Sequence, residues 1–162
     1  LASITCIKNN GVLDSIAEKK LLCISPICDA IRGVEEANRQ ILSFADIFAE
    51  EFKNLTTCVS SLEGMTPEAE AAINGEYDVA VVGVFDANSM PGQLDIIKAL
   101  EKSGKPVVAV LLRTPYDYKH VKNCDAVIAS YEYTKLSAKA TAVAIKNCDF
   151  RGKLPVTLPG KV

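Results

Sequence analysis

Few side chains in this sequence of 162 residues sit where chemistry could be done. His120 is the sole histidine, so a Ser-His-Asp or Cys-His arrangement must use it. No Gly-x-Ser-x-Gly elbow supplies a nucleophile for such a pair, and His120 lies in a short charged stretch that reads as solvated surface. No Gly-rich dinucleotide turn and no phosphate-cradling Gly-Lys-Ser/Thr motif follows any apolar run, so no cofactor is expected. The six cysteines include Cys23 and Cys28, with four residues between them and no histidine or second cysteine pair nearby. A zinc site needs such a partner set, so metal is not expected either. Seven polar or aromatic residues remain, each just beyond an apolar run: Asp86, Asn88, Arg113, Tyr116, Asp117, Tyr131 and Glu132. Arg113 leaves a run that must be buried, so its charge needs a partner, in a structural ion pair or across a domain interface. Asp86 and Asp117 read as caps of the helices they precede, with Arg113 paired to one of them.

The elements that must hold these residues centre on residues 77–115. Residues 77–85 (Tyr-Asp-Val-Ala-Val-Val-Gly-Val-Phe) and 107–112 (Val-Val-Ala-Val-Leu-Leu) are apolar without alternation. Such runs need cover on both faces, as central parallel strands have. Between them, residues 93–103 place Leu94, Ile97 and Leu100 on one helical stripe, which makes a right-handed strand–helix–strand unit. Residues 20–26 read as a further buried strand that Pro26 ends. Residues 56–62 read as a strand near an edge, and residues 124–131 as another strand. Helices are expected over 34–55, from Thr66-Pro67 to Asn74-Gly75, briefly over 116–121, and over 134–147 with Leu136, Ala140, Val143 and Ala144 inward. Residues 29–33 are an approach loop. The opening ten residues read as a short extended segment, and the last dozen, with Pro155 and Pro159, as an extended arm.

Alternation of strands and helices predicts an α/β fold, a three-layer α/β/α sandwich with a mainly parallel central sheet in a flavodoxin-like arrangement. One domain is expected: a linker over 1–19, the sandwich over 20–149 and the tail over 150–162. The net charge of −2 gives no broad attraction to nucleic acid, and no apolar run reaches the ~20 residues that span a bilayer. The chain has aliphatics enough not to need a disulfide framework, so the cysteines read as reduced and lean towards a reducing compartment. The first residue is Leu1, and the chain reads as a piece of something longer or a processed product.

Two stretches carry a resemblance. Residues 107–117 end in Arg113-Thr114-Pro115-Tyr116-Asp117 and are preceded by Pro91-Gly92-Gln93-Leu94 and Gly104-Lys105-Pro106. The tail runs Arg151-Gly152-Lys153-Leu154-Pro155-Val156-Thr157-Leu158-Pro159. Together they resemble the C-terminal domain of glycoside hydrolase family 3, whose ending reads Gly-Lys-Leu-Pro-Val-Thr-x-Pro. The opening, residues 3–11, is similar to the segment that leaves the family's N-terminal barrel, although Leu13-Asp14 departs from the usual Leu-Pro-Leu. The Arg-x-Pro-Tyr-Asp stretch points to the β-N-acetylhexosaminidase branch.

The resemblance implies a partner, an N-terminal (β/α)8 barrel of the same polypeptide. In the family that barrel supplies the aspartate nucleophile of a retaining double displacement. β-Glucosidase-like members add a glutamate acid/base from the second domain, whereas the matching loop here, Phe85-Asp86-Ala87-Asn88-Ser89, has no glutamate. Hexosaminidase-type members carry a His-Asp dyad on the barrel. The reading is therefore a non-catalytic domain of a hydrolase of terminal β-N-acetylhexosaminides, with carbohydrate as substrate of the whole enzyme. The seven residues named above are its substrate-cleft or interdomain candidates. Two alternatives stand: a flavodoxin-like module that takes a small ligand, and a β-glucosidase-type domain that uses Asp86 as acid.

Overall fold

β4 (Val79–Val84) and β5 (Val107–Leu111) lie side by side and parallel, every residue of both buried. A computed structural model describes residues 4–27 and 43–158 of the chain. The sheet extends on both sides of this pair. Beyond β5 lies β6 (Ala126–Ala129), parallel, and then β1 (Thr5–Asn9), antiparallel at the edge. Beyond β4 lies β2 (Leu21–Pro26) and then β3 (Leu55–Ser60), both parallel. The order is β1-β6-β5-β4-β2-β3. Without β1 it is the doubly wound flavodoxin order, whose direction of winding reverses between β2 and β4. β2 pairs with β4 only as far as Ile24. It ends at Pro26, whose missing N–H cannot continue a ladder.

Each face of the sheet carries its own apolar layer. On one, Phe44, Ala45 and Phe48 of α1 (Phe44–Ala49) and Ala138, Ala142 and Ile145 of α5 (Lys135–Asn147) cover Cys23, Val81, Val108 and Ile128. On the other, α2 (Pro67–Ile73), α3 (Leu94–Lys102) and α4 (Tyr118–Val121) lay Ile73, Ile97, Leu100 and Val121 against Leu22, Val82, Ala109 and Val127. The three-layer sandwich expected from the sequence is the fold. A 3-10 turn, Val12–Glu18, joins β1 to β2 and buries Leu13 and Ile16. The helix from Thr66 starts as its residues dictate: Thr66 Oγ1 accepts from the Ala69 N–H at 3.1 Å, and Pro67 opens the first turn.

Three expectations need revision. The helix over 34–55 is α1 alone within the described residues, and β3 already begins at Leu55. Its first part, 34–42, the loop at 29–33 and Cys28 lie outside the described residues. In α5, Leu136 is 66% exposed and Val143 36%, while Ser137 and Thr141 are buried with Ala138 and Ala142. Ala144 is buried as expected, but the rest of the inward face is turned from the expected one, because the small hydroxyl residues find partners inside. Ser137 Oγ lies 2.8 Å from Ser130 Oγ, and Thr141 Oγ1 donates to the Ser137 carbonyl at 2.8 Å. Finally, Leu94 of α3 is only half-buried, and Ile96 takes its place in the core. The described tail, 151–158, runs beside the antiparallel edge, where Gly152 N–H donates to the Ile4 carbonyl at 3.0 Å. Leu154, Val156 and Leu158 then pack against the second apolar layer.

Candidate functional site

The loops at the carboxyl ends of the parallel strands hold all seven residues singled out from the sequence. In an open α/β sheet this is the end where ligands and partners are met. β4 runs out through Phe85 into a tight loop, and β5 runs out through Leu112 into the Pro115–Asp117 turn and α4. The second segment grips three consecutive residues of the first. Arg113 Nη1 lies 3.8 Å from Asp86 Oδ2. Both carboxylate oxygens of Asp117 accept from the Ala87 N–H at 3.1 Å. His120 Nε2 lies 2.9 Å from Asn88 Oδ1.

The loop is also fixed from within. The Asp86 carbonyl accepts from the N–H groups of Ser89 and Met90 at 3.1 and 3.0 Å, with Asp86 itself at φ 49°. Aspartate tolerates that left-handed turn better than most residues. The buried amide of Gln93 closes the other side. Its Oε1 accepts from the Phe85 N–H at 2.9 Å, and its Nε2 donates to the carbonyls of Phe85 and Met90. Gly92 sits where a Cβ would come 2.1 Å from the Glu63 carbonyl oxygen, so only glycine allows the 61–64 segment to lie against this turn.

These contacts assign different tasks to the two aspartates. The sequence reading of both as helix caps does not hold. Thr114 Oγ1 caps the turn by accepting from the Tyr116 N–H at 3.2 Å, which leaves Asp117 free to reach the neighbouring loop. Asp117 is fully buried. Burial pushes its carboxyl above the usual aspartate range, opposed by the hydrogen bonds from Ala87 and by the nearby His120. Asp86 faces Arg113, whose side chain is 54% exposed and lies over the Phe85 ring at 5.5 Å. The rim open to solvent therefore carries Asn88, Arg113 and Tyr116.

Tyr131 and Glu132 stand apart from this cluster. Tyr131 turns at φ 69°, and its hydroxyl donates to Thr5 Oγ1 at 2.9 Å on the antiparallel edge strand. Glu132 is exposed. Between them and the switch point, Tyr133 spans the crevice. Its hydroxyl donates to the Pro26 carbonyl at 2.8 Å and accepts from the Phe44 N–H at 3.1 Å, and its ring meets Phe85 edge-on. The space bordered by Phe44, Leu112, Ser130 and Tyr133 has no room for a water molecule. Gln93 and Tyr133 escaped the sequence reading. A glutamine opening a helix pattern gives no sign that its amide is turned back into a loop.

Neither a protein-family model nor a curated protein matches this sequence. Solved structures do match in fold. One is a fungal multi-domain glycoside hydrolase family 3 β-N-acetylglucosaminidase, with TM-score 0.74 and 23% identity over 97% of this chain and 18% of that one. A second is a family 3 β-N-acetylglucosaminidase from Paenibacillus sp. str. FPU-7, with TM-score 0.75 and 20% identity over 96% of this chain and 30% of that one. A third is a β-glucosidase from Listeria innocua, with TM-score 0.71 and 18% identity over 90% of this chain and 23% of that one. The fold is therefore one that these glycosidases contain, and the chain spans less than a third of the length of each.

Proposed function

We propose that this chain is the C-terminal, non-catalytic domain of a retaining family 3 glycoside hydrolase acting on terminal β-N-acetylhexosaminides. On this reading it leans on an N-terminal (β/α)8 barrel and lends the rigid loop pair at its carboxyl-end rim to the edge of the barrel's cleft. The observation that carries the reading is the state of the two acids in the loop pair. Asp117 is spent on the Ala87 N–H and sealed from solvent, and Asp86 sits beside Arg113. Neither carboxyl is turned to an open surface free of a partner, as a proton donor to a glycosidic oxygen has to be. The likeness to a minor part of much longer glycosidases supports the same reading. Asn88, Arg113 and Tyr116, held on a loop pair tied together by these contacts, suit contact with a barrel loop or a bound sugar.

The test is direct. The chain of 162 residues, folded and offered an aryl N-acetyl-β-glucosaminide, should show no turnover above buffer; clear hydrolysis would overturn the reading. A β-glucosidase-type role in which Asp86 acts as acid has the Listeria likeness in its favour. Asp86→Asn in the full-length parent separates the two. Activity within about twofold of the parent fits a non-catalytic domain, whereas a loss on the 10²–10⁴ scale of general acid catalysis fits the alternative.

A further inference from the structure

The outer face of α5 presents apolar and cationic residues in two parallel stripes. Leu136, Ala140 and Val143 recur at the four- and three-residue steps that align side chains on one side of a helix. With Ile4 they floor a groove of about 460 Å³. Leu136, at 66% exposure, is among the most exposed large apolar side chains of the described residues. Beside this stripe run Lys135, Lys139 and Lys146, and the helix contains no acid. None of the three lysines has a carboxylate partner among the described residues. At the far end Arg151 is held by Asp149 at 3.2 Å. In a chain of net charge −2, this is a local inversion of sign along an apolar groove. The helix of 13 residues is about 20 Å long, enough to seat three turns of a partner helix.

We propose that this face docks an acidic amphipathic protein segment, whose apolar side chains enter the groove over Ile4, Leu136 and Val143 while its carboxylates lie along the three lysines. Apolar burial gives such contacts their affinity, and the aligned charges give them register and selection against basic partners. The proposal does not depend on the glycosidase reading, because it concerns a helix face and not the strand-end rim.

The experiment uses the whole chain and two synthetic helical peptides with the same leucine spacing, one flanked by glutamates and one by lysines. Methyl NMR should show the glutamate peptide shifting Leu136 and Val143. It should bind at least about tenfold more tightly than the lysine peptide, a preference of about 1.4 kcal/mol. Raising the salt should shrink that preference. Leu136→Glu/Val143→Glu should abolish binding and Lys135→Glu/Lys139→Glu/Lys146→Glu should reverse the preference, both with unchanged thermal melting because these side chains face solvent. Equal binding of the two peptides, binding of neither, or shifts confined to another face would overturn the proposal. So would self-association of the chain through these residues, or binding of anionic phosphatidylserine vesicles in preference to the glutamate peptide.

Discussion

Asp117 is the residue on which the loop pair turns, and its burial makes a prediction with a definite sign. Its carboxyl is raised above the ordinary value of 3.8, so the native chain holds that proton more tightly than the unfolded chain does. The contribution to stability is then fully present below the unfolded pKa and declines as pH rises through the raised native value. Asp117→Asn should remove this slope, since the amide oxygen can still accept from Ala87 without carrying charge into the interior. Asp117→Ala should instead leave the Ala87 N–H buried and unpaired, at a cost of about 1–3 kcal/mol. Urea denaturation of the three proteins from acid to neutral pH checks both statements. A slope that survives in the Asn variant would show that another group titrates. Arg113 is a contrast. Its pair with Asp86 is half in water, where such pairs contribute little, so its value lies in what it presents at the rim.

At the scale of elements, the most constrained join is the one between the 61–64 segment and the turn that opens α3. A methyl group at position 92 would meet the Glu63 backbone at 2.1 Å, and backbone cannot rotate aside as a side chain can. Gly92→Ala should therefore cost about 1–3 kcal/mol by overpacking, seen as a lower denaturation midpoint, whereas Gly104→Ala meets no neighbour within 4 Å and is strained only by its φ of 76°. A null effect at Gly92 would mean that the segment can move away. The elements themselves were legible to very different degrees. Two unbroken apolar runs betrayed β4 and β5, because only strands covered twice need no polar side. The face of α5 was not legible in the same way. A pattern of leucine and valine marks apolarity without saying which apolar stripe is covered by this domain, and the hydroxyls of Ser137 and Thr141 became interior only through Ser130, seven and eleven residues away. The loop pair was half legible. Asp86, Asn88, Arg113 and Asp117 could be picked out by position, but the crosswise pairing of 113, 117 and 120 with 86, 87 and 88 arises from two strands meeting in space, which no local spacing encodes.

For the whole molecule, the order of strands decides where the fold should open first. β2, β4 and β5 are flanked on both sides by parallel partners and buried beneath helices on both faces. β3 has one neighbour and is exposed or half-buried at every position before Ser60, and β1 joins the sheet only through an antiparallel pairing with β6 that slips its register between Cys6 and Lys8. The tail is fastened beside that same edge through Gly152 and Ile4. Opening the β1 edge breaks one ladder and frees the tail; exposing β4 requires both apolar layers to come apart. Native-state hydrogen exchange should rank the amides accordingly. β4 and β5 should exchange only on global unfolding, and β1 and β3 at least about tenfold faster, a gap of about 1.4 kcal/mol or more. If this edge is where a preceding domain attaches, a longer protein carrying that domain should slow exchange in β1 and leave β3 unchanged. Equal slowing at both edges would mean that a partner stabilises the sandwich as a whole and does not brace the edge at which the chain enters it.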